Sequence, residues 1–149
     1  MDEAAQEVVR TAPAWALALL RDARVGRLAT ADAAGRPLVV PVCYAFDGAR
    51  CYSAVDAKPK STRNLRRLRN IADNPHVSLV VDVWDEDWSR LHWVIVEGRA
   101  EVLTAGAEFG RAINLLVDKY RQYRDLRLDR ASGAVIAVTP TRLLSWRAA

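Results

Sequence analysis

The chain is poor in the residues that build metal centres and disulfide frameworks: 149 residues include two cysteines, two histidines and one methionine. Cys43 and Cys51 are too few thiols for a structural zinc site, and His76 and His92 stand far apart, so no metal is expected. Long apolar runs are also missing. The uncharged stretch from Thr11 to Leu20 stops at Arg21, far short of the ~20 residues a membrane-spanning helix needs. The opening Met-Asp-Glu carries no basic region followed by an apolar run and a small-residue cleavage site. These absences lead us to expect a cytoplasmic protein without a membrane partner. No Ser-His-Asp set, Cys-His pair or pair of carboxylates is recognisable, which argues against a hydrolase. It does not argue against an enzyme whose cofactor performs the chemistry.

What is present suits a single compact domain over residues 1–149, since apolar residues make up 51% of the chain and charged ones 27%. Lys and Arg outnumber Asp and Glu by 22 to 18, giving a net charge of +4 and a pI near 9.4, which favours an anionic partner.

Residues 1–23 read as an N-terminal helical segment, weakly patterned to Arg10. A helix then follows, with Thr11 as its N-cap, Pro13 in its first turn, and Trp15, Leu19 and Leu20 on one face. Arg24 to Ala31 reads as a strand, residues 32–37 as a turn with Gly35 free for positive φ, and Leu38 to Phe46 as the second arm of a hairpin. Pro41 has no N–H to give, so it implies a bulge or a sheet edge. A two-residue Asp47-Gly48 turn would pair Phe46 with Ala49 and Tyr44 with Cys51, sending the two cysteines to opposite faces as free thiols. A three-residue loop would instead set the cysteines opposite each other.

Leu65, Leu68, Ile71 and Ala72 mark a second helix that ends at Asn74-Pro75. Val77 to Val83 and Leu91 to Leu103 read as strands, the latter with a possible bend at Gly98, joined by the acidic, aromatic segment Trp84 to Trp88. Ala107 to Tyr123 forms an amphipathic helix with Phe109, Ile113, Leu116, Tyr120 and Tyr123 on one face. Arg124 to Arg130 reads as a charged loop. Ala134 to Val138 and Leu143 to Trp146 supply the last strands, split at Thr139-Pro140. About six short strands joined by hairpins, with few helices, point to a mainly β, α+β fold built on a small antiparallel barrel rather than a doubly wound parallel sheet.

The segment most suggestive of chemistry runs from Lys58 to Arg63. Here a strand ends, Pro59 keeps the chain extended, and Ser61 or Thr62 caps a helix. Free amides at the helix start, the helix dipole, the Lys58 and Lys60 charges and the Arg63 fork all favour a phosphate. Arg66, Arg67 and Arg69 follow around the helix and read as ordinary surface.

Arg27-Leu-Ala-Thr30, Gly35-Arg-Pro-Leu-Val-Val-Pro-Val42, Tyr52-Ser53 and Lys60-Ser-Thr-Arg-Asn-Leu65 before Asn74-Pro75 occur in that order. Together they resemble the pyridoxamine 5′-phosphate oxidase-like flavin-binding split barrels. The stretch Val80 to Ser89 before Val94-Ile-Val-Glu-Gly-Arg-Ala100 is most similar to the actinobacterial subgroup believed to use the deazaflavin coenzyme F-420. The resemblance implies a split β-barrel with flanking helices, a homodimer with the cofactor in the cleft between subunits, and hydride transfer between that cofactor and a small organic acceptor. It places the cofactor phosphate on Lys58, Lys60, Ser61, Thr62 and Arg63, and the ring near Val40, Pro41, Val42 and Ser53. It also offers the partner chain's Trp88 or Trp93 as a cover. A rim of Arg66 and Arg67, with Arg36 or Arg50, would attract the polyglutamate tail of F-420.

The chain also departs from the namesake oxidase. Leu38 to Phe46 has no basic residue, and the ending Ser145-Trp-Arg-Ala-Ala149 has no Arg-x-His element, so vitamin B6 oxidation is not expected. FMN remains the alternative cofactor, and a cofactor carrier or sensor without turnover remains the alternative role. A nucleic-acid-binding module fits less well, because no aromatics interleave with the basic run and the acidic residues from Asp82 to Asp87 would repel a backbone.

Overall fold

The computed structural model describes residues 2–56, 62–125 and 133–149. Seven strands form one antiparallel sheet: β1 (Gly26–Ala31), β2 (Pro37–Val42), β3 (Ala45–Phe46), β4 (Cys51–Asp56), β5 (His76–Val83), β6 (His92–Leu103) and β7 (Gly133–Arg147). Their order is β2-β1-β5-β6-β7-β4-β3, so β2 and β3, neighbours in sequence, lie on opposite edges. The sheet curls until those edges face each other, giving a split barrel. Its interior holds Leu28, Val42, Tyr44, Cys51, Val55, Leu79, Val81, Val94, Val96, Ile136 and Val138.

The helices are α1 (Glu3–Arg10), α2 (Ala14–Asp22), α3 (Thr62–Asp73), α4 (Ala107–Lys119) and α5 (Gln122–Asp125), with a 3-10 turn at Trp88–Arg90. The first differs from expectation. Residues Glu3–Arg10 are helical, Asp2 caps them by accepting from the Ala4 N–H at 2.9 Å, and Ala5 and Val9 are buried. Thr11 therefore ends a helix instead of starting one, its hydroxyl donating to the Glu7 carbonyl at 2.9 Å, and Pro13 precedes α2.

The expected arm from Leu38 to Phe46 breaks at Cys43 and Tyr44. Its first part pairs with β1, with Pro41 opposite Arg27, and its second pairs with β4, with Phe46 opposite Cys51 and Ala45 opposite Tyr52. The connecting turn is four residues long, closed by the Asp47 N–H donating to the Arg50 carbonyl, instead of two. A slip of two residues preserves faces. Cys51 is accordingly buried, Cys43 is exposed, and both thiols are free.

β7 runs unbroken through Pro140, where a split was expected. Gly98 stands opposite Pro140 and Glu97 opposite Arg142, so the ladder skips Thr141 at a bulge, and the proline falls where the pairing is already irregular. The expected long helix from Ala107 divides at Tyr120 into α4 and α5, with Phe109, Ile113, Leu116 and Tyr120 buried.

Candidate functional site at the split of the barrel

A proline nitrogen has no hydrogen to donate, so Pro37 and Pro41 stand in the phase of β2 whose backbone turns away from β1. Val39 shares that phase and is 61% exposed. The outer edge of β2 therefore presents the Val39 N–H and the carbonyls of Pro37, Val39 and Pro41 without a strand partner. Val40 and Val42 turn to the other face, half-buried and buried. Ser53 reaches across the split from β4, its hydroxyl donating to the Cys43 carbonyl at 2.9 Å. Val42 and Ser53 line one small cavity with Tyr44 and Cys51, while Pro41 turns to the opposite face of β2.

Tyr120 ties the Cys43–Tyr44 crossing to the backbone at Arg24. Its hydroxyl accepts from the Tyr44 N–H at 3.1 Å and lies 3.0 Å from the carbonyls of both Arg24 and Tyr44, donating to one at a time. Tyr44 is 1% exposed and its hydroxyl donates to the Leu20 carbonyl. Burial raises the Tyr44 hydroxyl far above its ordinary value, and its charge state is fixed as neutral. The Lys119 Nζ lies 4.2 Å from the Tyr44 ring centre and 5.4 Å from that of Tyr120, buried and without a hydrogen-bond partner among the described residues. Burial first, and then repulsion from Arg24, bring its ammonium down to about 8.

That displacement predicts a pH dependence. Below pH 8 Lys119 is charged in both folded and unfolded chains, so the native state carries the full cost of burying the charge. Between about 8 and the ordinary value of 10.5 the unfolded chain binds more protons, so this contribution to stability rises with pH. Cys51, which burial pushes up to about 12, and the buried tyrosines act in the opposite direction as they ionise in the unfolded chain. The difference between wild type and Lys119→Met isolates the lysine. Urea midpoints at pH 7.5 and 9.5 should show the advantage of Lys119→Met shrinking at the higher pH; an advantage independent of pH would refute the assignment.

Arg67 corrects the reading of a solvated face: it is 7% exposed, with burial lowering its guanidinium from the ordinary value. It faces Tyr123 of α5, whose hydroxyl contacts the Cys43 thiol and is pushed up to about 12, by burial first. The proposed tail-binding rim changes as well. Arg36 donates to Asp32 at 2.9 Å, and Arg50 is paired with Glu108 and, at 2.8 Å, with Glu101. Burial opposes the Arg50 charge, yet these two carboxylates outweigh it.

Of the expected phosphate ligands, Lys58, Lys60 and Ser61 lie outside the described residues, while Thr62 and Arg63 open α3. Trp88 and Trp93 do not join the site within one chain. Trp88, 68% exposed, sits on the β5–β6 loop against Trp84, their ring centres 6.5 Å apart. Trp93 pairs with Trp146 at one end of β6, whereas Ser53 aligns through Ile136 with Val102 near the other. Nine residues of strand, at about 3.3 Å each, separate those positions.

The sequence reading missed Arg24, Lys119 and Tyr120 as members of this site. For Arg67 a signal was available, since its i+4 partner Ile71 lies on the buried stripe. Lys119 gave none, because nothing local marks a lysine at a helix end for burial.

The whole molecule belongs to the pyridoxamine 5′-phosphate oxidase family, whose model matches residues 3–147. It is 30% identical over 128 residues to the 5a,11a-dehydrotetracycline/5a,11a-dehydrooxytetracycline reductase of Streptomyces rimosus, covering 85% of this chain and 77% of that one. A solved F420 reductase superposes with a TM-score of 0.65 at 26% identity, covering 89% of this chain and 98% of the other. An FAD-binding protein from Mesorhizobium loti does so with a TM-score of 0.63 at 26% identity, covering 87% of each chain.

Proposed function

We propose that this protein is an oxidoreductase that binds coenzyme F-420 at the split of the barrel and uses it to pass a hydride to a small organic acceptor. The observation that carries the reading is the Ser53 hydroxyl bound to the Cys43 carbonyl just beyond the edge strand β2, in a chain with reductase relatives. The residues suit a tricyclic redox ring: unpartnered backbone groups of β2 can meet its carbonyl and imide edge. Lys58, Lys60, Ser61, Thr62 and Arg63, expected from the sequence alone, would take its phosphate. Bound F-420 or FMN supplies the hydride chemistry itself. The chain's own residues grip the acidic end, fix the ring plane against β2 and keep water from one face. FMN is the second reading, supported by the FAD-binding relative.

The same proposal includes a homodimer. Val39, Val80, Ile95 and Leu144, with Trp93 and Trp146, occupy one outward sheet face by register, and a second copy would cover it. Light scattering at the mass of a single chain would count against this part.

Fluorescence titration of the purified protein with F-420 and with FMN tests the cofactor, and failure of both to bind overturns the proposal. Lys58→Ala combined with Lys60→Ala should weaken the preferred cofactor on the order of tenfold, and Arg69→Ala far less; the reverse ranking would remove the cradle from this segment. Turnover is read by incubating reduced cofactor with quinones, biliverdin, unsaturated ketones and 5a,11a-dehydrotetracycline. Under anaerobic conditions, reoxidation coupled to loss of acceptor marks an enzyme, and bound cofactor that stays reduced beside every acceptor marks a carrier.

A further inference from the structure

We propose that the mouth of the split contains an organic-acid site, formed by Arg24, Lys119 and Tyr123 around the Cys43 thiol, which takes a carboxylate or enolate of the acceptor. The inference rests on the split being a ligand site, but its test needs no cofactor.

Charge balance carries the argument. Arg24 spreads its guanidinium over the Tyr120 ring at 4.6 Å and donates to the Lys119 carbonyl at 3.0 Å, leaving its outer N–H groups to solvent. Lys119 lies within electrostatic range of both Arg24 and Cys43. Among the described residues neither cation has a carboxylate within ion-pair distance. Asp22 is the carboxylate that acts on Lys119, and it is 72% exposed and set against Arg21 at 3.4 Å.

A desolvated cation such as Lys119 is costly when left without an opposite charge, and the nearby Arg24 charge makes it costlier still. An arriving acid relieves both costs. Arg24 and the Tyr123 hydroxyl can touch it directly. Lys119, sealed behind the tyrosines, contributes through the field alone, which is strong where low-dielectric walls exclude water.

Cys43 is a built-in reporter, because it is exposed in the middle of these groups whereas Cys51 is 2% exposed. Alkylation by iodoacetate or iodoacetamide forms the same S–C bond and releases iodide, but the first reagent is an anion and the second is neutral. At low salt the iodoacetate-to-iodoacetamide rate ratio at Cys43, mapped by mass spectrometry, should exceed that of a cysteine peptide on the order of tenfold. It should fall toward the peptide value in 1 M salt. Arg24→Gln and Lys119→Met should each lower the ratio about threefold, while the wild-type salt series needs no variant to fold.

Benzoate should protect Cys43 from both reagents and benzamide should not, which supports an acceptor acid. Protection by inorganic phosphate and not by benzoate would move the anion to the cofactor and overturn the assignment to the acceptor. A peptide-like ratio with no protection by either anion overturns the site altogether. If cofactor titration succeeds in that case, the fault lies with this inference and not with the proposed function.

Discussion

Gly98→Val should be among the most damaging single substitutions in the chain, costing about 3 kcal/mol and lowering Tm by roughly 10 °C. A Cβ built at Gly98 would meet the Thr139 carbonyl oxygen at 2.5 Å and the Val138 Cγ1 at 2.8 Å, and the first of these is backbone that cannot rotate aside. The position lies inside the bulge where β6 faces Pro140, so relief requires β7 to move. β7 in turn pairs with β4 through residues 133–138, and β4 carries Ser53 to the split. The substitution should therefore weaken cofactor binding as well as stability. Gly35→Ala provides the contrast: its φ of +83 is strained for alanine, but nothing lies within 4 Å of the added carbon, so the cost should be about 1 kcal/mol. Thermal unfolding of both variants gives the comparison, and a Gly98→Val protein that melts with the wild type would show that the close approach does not constrain the bulge.

The contrast between these glycines bears on what could be read from the chain. Gly35 sits in a turn whose Asp32 carboxylate collects the Ala34 and Arg36 N–H groups at 2.9 Å each, a local arrangement with a local signature. The role of Gly98 depends on a strand some forty residues away, so the sequence could only suggest a bend. The same division holds elsewhere. Hairpins, the α3 stripe and the apolar face of α4 follow from short-range periodicity. The exchange of β2 and β3 to opposite edges does not, because it is decided by how the whole sheet curls. Pro140 misled for a related reason: read alone it breaks a strand, and only the register shows that it occupies a gap. In the candidate site, Val40 to Val42 and Ser53 were expected as a set through ordered motifs, whereas Lys119 and Tyr120 arrive from the end of α4 and its C-cap by tertiary packing alone.

Tyr120 supplies the second large effect. Tyr120→Phe removes one hydroxyl from a buried position and leaves the Tyr44 N–H, formerly 3.1 Å from it, without its acceptor. The carbonyls of Arg24 and Tyr44 lose their donor in the same step. An abandoned buried backbone group costs about 2 kcal/mol, while the ring itself still fills its place between Ala45 and Leu116. The urea midpoint should fall with an unchanged slope, and the Tyr44 amide should exchange with solvent much faster than in the wild type. The consequence for function follows from the chain's path, because Cys43 and Tyr44 are the two residues over which the backbone crosses from one edge of the sheet to the other. With the Tyr120 tether gone, that crossing keeps the Ser53 bond to the Cys43 carbonyl and the Tyr44 hydroxyl bond to the Leu20 carbonyl but loses its backbone anchor, and cofactor affinity should fall several-fold. Full occupancy of the double variant Tyr120→Phe, Ser53→Ala at higher ligand concentration, with wild-type stoichiometry, would be consistent with loosened preorganisation. Unaltered exchange at Tyr44 in Tyr120→Phe would mean that the hydroxyl does not hold the split.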